Sequence, residues 1–109
     1  MAIGTVHSGV CGFCINIKAV SDPSSSRRSR TIKLEITSDC PNYQKIAKEL
    51  TEVDALKEIS SKLHMSKVYE IFLKYSPHPS CPGVSGILKT IEVEAGLALP
   101  RTADITVQR

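Results

Sequence analysis

Tryptophan is absent from this sequence, and aromatic residues make up only 5% of it. A stacking platform for nucleobases needs exposed rings, so this poverty argues against nucleic acid as a partner. Charge of one sign is also scarce: a formal net charge of +3 is too small to hold a polyanion by itself. There is no long apolar run, which argues against a membrane-spanning helix. The opening stretch "MAIGTVHSGVCGF" has neither a basic start nor a long apolar core, so no signal peptide is expected. A Gly-rich phosphate loop, a Ser-His-Asp set with familiar spacing and a distinctive carboxylate pair are all missing, which turns the reading away from an enzyme.

What is present suits one modest domain spanning residues 1–109, with a globular share of hydrophobic residues, 41%. "FCINIKAV" alternates Phe13, Ile15, Ile17 and Ala19 with Cys14, Asn16 and Lys18, the period of a half-buried strand. "TIKLEIT" repeats it with Ile32, Leu34 and Ile36, and residues 2–6 are expected as a further edge strand. Between the two main strands lies the polar loop "SDPSSSRRSR". Its Arg27, Arg28 and Arg30 could meet phosphate or an acidic partner, but a solvated loop is the simpler reading. Deleting Ser24 to Ser29 is expected to leave the fold intact, because shortening a surface loop changes its closure entropy little.

From Cys40 the period becomes helical. Tyr43, Ile46, Ala47 and Leu50 share a face. Asp54 is expected to cap a second helix with Leu56, Ile59 and Leu63 inward, and Ser66 a third with Val68, Ile71, Phe72 and Tyr75 inward. A last helix carries Val84, Ile87, Leu88, Ile91 and Ala95, with Gly96 at its C′ position. "ADITVQR" reads as a short closing strand. The whole predicts an α+β domain, a small antiparallel sheet covered by about four helices with a short C-terminal strand.

The four cysteines are the chemical signal. A cytoplasmic location is the default expectation, and there cysteines read as metal ligands or redox thiols before disulfides. Cys40 and Cys81 each precede a proline at a helix start, "SDCPN" and "PSCPG". Proline is tolerated in the first turn, so each cysteine is expected at or near the N-cap with Pro41 and Pro82 at N1. The free N–H groups and positive dipole end there stabilise a thiolate. Cys11 and Cys14 form the Gly-marked turn "CGFC". Three marked thiol turns suit a zinc or iron–sulfur site. The bland alternative is that free cysteines are small core residues, but none of these turns sits inside an apolar stripe.

Cys11, Cys40 and Cys81 are therefore the expected ligands, with Cys14 or His78 completing the set. His78 shares a proline-fixed loop with Cys81, whereas Cys14 would use the whole cysteine inventory and leave no stray thiol. Cys14 falls on the strand's polar face unless the strand begins after it; the inventory argument inclines the choice to Cys14. His7 reads as a surface or edge-strand residue, and His64 as a helix-end residue near carbonyls. A thiol–disulfide protein using Cys11 and Cys14 is the rival, although such enzymes place C-x-x-C at a helix start and here a strand follows. A plain interaction module with incidental cysteines is a third reading.

The phrases "CGFCINIKAV", "DCPNYQKIAKELTEV" and "HPSCPGVSGILKTIE" together resemble the iron–sulfur scaffold family typified by IscU, SufU and the N-terminal domain of NifU. "GVC", "CPN" and "SCPG" resemble the related TSCPD domains more closely. The tail "GILKTIEVEAGLALP" is similar to a small uncharacterised family of anaerobic microbes that combines these motifs. The resemblance covers roughly residues 9 to 97. It implies an α+β scaffold with strands before helices, an iron–sulfur cluster or zinc held by cysteines, and a protein partner in cluster assembly or electron transfer. An oligomer is compatible with it. Three departures stand out. Phe13 occupies the position of the scaffolds' aspartate, which is thought to keep the cluster labile, so the resemblance implies a more stably held metal. Pro41 and Pro82 replace small flexible residues, which stiffens the site, and Cys14 is an added thiol.

Overall fold

A computed structural model of the chain describes residues 1–22, 31–60, 62, 65–75 and 78–109. The basic loop with its three arginines, the segment 24–29 and the residues Leu63 and His64 lie outside or partly outside that set, and the expectations for them go with them. The elements run β1 (Ala2–His7), a 3₁₀ turn (Gly9–Cys11), β2 (Cys14–Ser21), β3 (Thr31–Ser38), α1 (Pro41–Glu49), β4 (Glu52–Asp54), α2 (Ala55–Ser60), α3 (Lys67–Tyr75) and α4 (Gly83–Glu94). The four strands form one antiparallel sheet in the order β1-β2-β3-β4. This is the α+β architecture that the alternating strands and later helical periods predict.

The sheet is one-sided. Ile15, Ile17 and Ala19 of β2 and Ile32, Leu34 and Ile36 of β3 are buried, while Asn16, Lys18, Lys33, Glu35 and Thr37 between them are exposed. The register sets Ile17 opposite Ile36 and Ala19 opposite Leu34, so the buried residues meet as cross-strand pairs. Each fully buried isoleucine contributes about 1.5–3 kcal/mol. A one-residue slip would expose the whole set, which pins the register.

The helices supply the other half of the core. Tyr43, Ile46 and Leu50 of the α1 segment, Val68, Ile71 and Phe72 of α3, and Val84, Ile87 and Ile91 of α4 are all buried. Helix α4 lies close over β1: Gly86 faces Val6 and Gly4 faces Thr90. Its end closes as expected, with Gly96 at φ 76°, the Gly96 N–H donating to Val93 O and the Leu97 N–H to Glu92 O, a Schellman pair. None of the described helices is long and apolar enough to cross a membrane.

Four details depart from the sequence reading. β2 begins at Cys14, leaving Phe13 in the connection before it. The short strand β4 is too brief to show a period. It forms because the chain turns at Leu50 and Thr51, where Thr51 O accepts from the Leu34 N–H at 2.8 Å, and it buries Val53 against the sheet. Pro82, expected at N1, is the N-cap of α4, so Cys81 stands one residue ahead of the helix. The closing strand "ADITVQR" does not form: residues 101–109 have no regular structure and are exposed. A strand needs a partner for its N–H and C=O groups, and among the described residues none of the strand pairings reaches this segment.

Helix α2 is also turned from its expected face. Asp54 caps it, accepting from the N–H groups of Leu56 and Lys57 at 3.1 and 3.4 Å. Yet Leu56 is exposed, while Ala55 and Glu58 are buried. Glu58 belongs inside because its carboxylate caps α3: it accepts from the Lys67 N–H at 2.8 Å, the Val68 N–H at 3.3 Å and the Ser66 hydroxyl. Ser66 in turn accepts from the Tyr69 N–H at 3.3 Å, the expected cap. Replacing Glu58 by Ala removes the shared acceptor of two buried donors. It is expected to cost roughly 2 kcal/mol in urea unfolding and to speed amide exchange in the first turn of α3; unchanged stability would refute this role for the carboxylate.

Candidate functional site

At the end of the sheet where β2 begins, a cleft of about 90 Å³ opens between the 3₁₀ turn, the start of α1 and the approach to α4. Its walls include Cys11, Cys40, Cys81 and His78, together with Ser8, Phe13, Ile15, Pro41, Asn42 and Tyr43. Three cysteines far apart in the chain thus line one space. Each arrives by a different route. Cys11 ends the 3₁₀ turn, which Gly12 closes in the left-handed region at φ 72°. Cys40 is the N-cap of α1 with Pro41 at N1, as the sequence predicts. Cys81 sits on a turn with His78, whose carbonyl accepts from the Cys81 N–H at 3.2 Å.

Cys14 is not among the lining residues. As the first residue of β2 it alternates with the buried Ile15 and falls on the open face with Asn16 and Lys18, opposite His7 of β1. The structure brings Cys11, Cys40, Cys81 and His78 to one cleft and leaves Cys14 and His7 on the outer surface of the sheet.

The field at the cleft favours negative charge. Both α1 and α4 start there, neither has a side-chain cap hydrogen bond, and neither has an acidic residue in its first turn. Their free N–H groups and positive dipole ends remain uncompensated. Thiolates suit such a place. The Cys11 thiol is exposed and held below its ordinary range, first by the Ser8 hydroxyl at 2.8 Å and then by the Phe13 backbone. Ser8 also donates to Phe13 O at 2.6 Å, so a single hydroxyl ties the turn together.

Cys81 has a hydroxyl partner too. The Tyr43 phenol oxygen lies 3.1 Å from its Sγ. Burial pushes the phenol well above its ordinary pKa, and the bond to Cys81 and the charges of Cys81, Cys40 and Cys11 push in the same direction. Tyr43 therefore keeps its proton and is a standing donor toward a Cys81 thiolate. Its ring is 2% exposed and fits beneath the cleft only because residue 83 has no side chain. A Cβ on Gly83 would fall 2.1 Å from the Tyr43 oxygen, 2.5 Å from Cζ and 2.7 Å from Ile15 Cδ1.

Among the described residues no group of three or more His, Cys, Asp or Glu side chains is already arranged to hold a metal ion. The sulfurs of Cys11 and Cys81 are instead turned to Ser8 and Tyr43. The donor set nonetheless suits a thiophilic centre: three thiols and an imidazole on one cleft, in a field that stabilises thiolates. Ser8 and Tyr43 were not legible as site residues. Tyr43 falls on the apolar stripe of α1 and reads as core, and its oxygen has a role only because α4 carries Cys81 across it. Ser8, three residues before Cys11, had the spacing of a local side-chain bond as its only signal.

The chain belongs to a family of unknown function (DUF6951), whose model matches residues 2–107. No curated protein and no solved structure matches it.

Two outcomes are expected from this geometry. In metal-free protein, iodoacetamide should modify Cys11 at lower pH than an ordinary thiol, because its thiolate forms below the usual range, and Ser8→Ala should move that profile upward. An unchanged profile in the variant, read by peptide mass mapping, would remove Ser8 as the cause. Gly83→Ala should cost roughly 1–3 kcal/mol through overpacking against Tyr43 and Ile15, measured by thermal or urea unfolding.

Proposed function

We propose that this chain is a cysteine-ligated metal protein that holds an iron–sulfur cluster, or alternatively zinc, in the cleft at the end of its sheet. The convergence of Cys11, Cys40 and Cys81 on one cleft carries the reading. The two uncapped helix starts support it, since they favour the negative charge that thiolate ligands bring. His78 lines the same cleft and Cys14 does not, which favours His78 as the fourth ligand. This reverses the preference that the cysteine inventory alone suggested.

Phe13 makes the site a holding one. It stands where the resembling scaffolds carry aspartate, and here it is partly buried and forms an apolar wall of the cleft. An apolar wall limits water access and adds no competing ligand. The chain is then better suited to retain its centre, as a store or an electron carrier, than to release it. When bound, such a centre would supply electron-transfer chemistry if it is a cluster, or a structural tie between the turn and the two helices if it is zinc. The protein's own part is to orient the three thiols, to hold the Cys11 sulfur against the Ser8 oxygen and to offer the Tyr43 hydroxyl as a donor to Cys81.

A thiol–disulfide role for Cys11 and Cys14 is less well supported, because Cys14 lies outside the cleft on the opposite side of the strand from Ile15.

The test is anaerobic purification, metal and sulfide analysis, and an absorption spectrum, repeated after reconstitution with iron and sulfide or with zinc. A stoichiometric thiolate-bound centre is expected, released as pH falls because the ligands must be deprotonated to bind. Cys11→Ser, Cys40→Ser and Cys81→Ser should each lose it, His78→Ala should weaken it, and Cys14→Ser should leave content and spectrum unchanged. Four freely titrating thiols in the purified protein, with stability unaltered by added metal, would overturn the reading. Loss of the centre in Cys14→Ser with full retention in His78→Ala would reverse the assignment of the fourth ligand.

A further inference from the structure

The last residues of the chain pose a problem that the isolated molecule does not solve. Leu99, Ile105 and Val107 are 75%, 79% and 88% exposed. From Ala103 the pattern alternates: Ala103, Ile105 and Val107 are apolar, and Asp104, Thr106 and Gln108 are polar. That is the period of a strand with one covered face. Yet residues 101–109 have no regular structure, and among the described residues no hydrogen bond or ion pair reaches 98–109. The stretch is no foreign appendage, since the family match runs through residue 107.

The sheet has a matching vacancy on its edge. Among the described residues β1 pairs with β2 alone, so the other side of Ala2–His7 presents backbone groups with no strand beside them. Beside that edge, Ile3 is 67% exposed on the open face, with Met1 and Val20 exposed next to it. The opposite edge is a poor alternative. β4 has three residues, and the groove beside it is lined by Glu52, Asp54, Lys57, Glu58, Lys67 and Glu70, which would reject an apolar strand.

We propose that the segment from Ala103 to Val107 pairs with the β1 edge of a second copy of this chain, so that two copies exchange tails in a symmetric dimer. Each exposed apolar set then covers the other: Ile105 and Val107 from one copy against Ile3 and its neighbours in the partner. Reciprocal exchange closes the assembly, which a one-way strand addition would not. A second copy is favoured over the chain's own edge because the single chain leaves that edge unpaired by its tail although it lies beside the tail's root, where the Met1 ammonium meets the Glu94 carboxylate at 3.2 Å. The exchange also leaves the cleft free. Glu94, near the root of the tail, accepts hydrogen bonds from Ser21 at the far end of β2, whereas the cleft lies where β2 begins. The dimer therefore stands or falls independently of the metal reading.

The test uses the full chain in size-exclusion chromatography with light scattering, from micromolar to near-millimolar concentration, with hydrogen exchange on the same samples. Wild type is expected to be a dimer with the amides of 103–107 and of β1 protected. The double variant Ile105→Asp with Val107→Asp should be a monomer with an unchanged circular dichroism spectrum, since both side chains are exposed in the single chain. Ile3→Lys should weaken the dimer in the same way. A wild-type monomer throughout the range overturns the proposal. So does a dimer that persists in the double variant, and so does a monomer whose tail amides are protected, which would put the tail on its own sheet.

Discussion

Tyr43 stands where three parts of the structure meet, and the arrangement of the rest depends on how it fits. Its phenol end shares with Ile15 of β2 the space that Gly83 of α4 leaves free, and its oxygen reaches Cys81. Because the ring comes from the first turn of α1, one residue couples the start of that helix, the inner strand and the start of the last helix. The coupling is tight: the space left at Gly83 admits no further carbon atom. The thiols of Cys40 and Cys81 are placed by this packing, one at the N-cap of the helix that bears the ring and the other against its hydroxyl. The geometry of the cleft thus follows from the packing around Tyr43.

Charge follows from the same placement. Two helices that cover one face of a sheet, both starting at the same cleft, bring their positive ends together. In many proteins an acidic first-turn residue or a capping side chain would neutralise each end; here α1 and α4 have neither. Cys40 holds the N-cap position of α1, and Cys81 stands one residue before Pro82, the N-cap of α4. Elsewhere the molecule caps its helices in the ordinary way, with Asp54 ahead of α2 and with Ser66 and Glu58 ahead of α3. The contrast separates helix starts that only need satisfying from those that are left open toward a cleft.

Much of this was legible in the residue order. The alternation of Ile15, Ile17 and Ala19, and of Ile32, Leu34 and Ile36, named the buried face of both central strands. The stripes through Ile46 and Leu50, through Val68 and Ile71, and through Ile87 and Ile91 named three helical faces. Cys40 with Pro41 marked a helix start in the right place. What escaped was decided by contacts between distant residues. β4 is held by its neighbour β3, with only Val53 to signal it. Leu56 lost its inward place to Glu58, a carboxylate whose partners lie on another helix. "ADITVQR" had the strand period but pairs with no strand of its own sheet, and period alone cannot supply a partner. The cysteine inventory inclined to Cys14 over His78, yet His78 lines the cleft and Cys14 does not, because β2 begins at Cys14 and one residue decides which side of the sheet a thiol faces.

The 3₁₀ turn that carries Cys11 differs in kind from the supports of the other two thiols. Cys40 and Cys81 ride on segments wedged into the core, so the gap between their sulfurs is fixed by the fold. Cys11 rides on a three-residue turn between two glycines with positive φ, and both glycines face open space. Of the three thiols on the cleft, Cys11 is the one placed by a short local turn and a single Ser8 hydroxyl instead of by helix packing, so a change of backbone at Gly9 or Gly12 would shift that sulfur without repacking any helix.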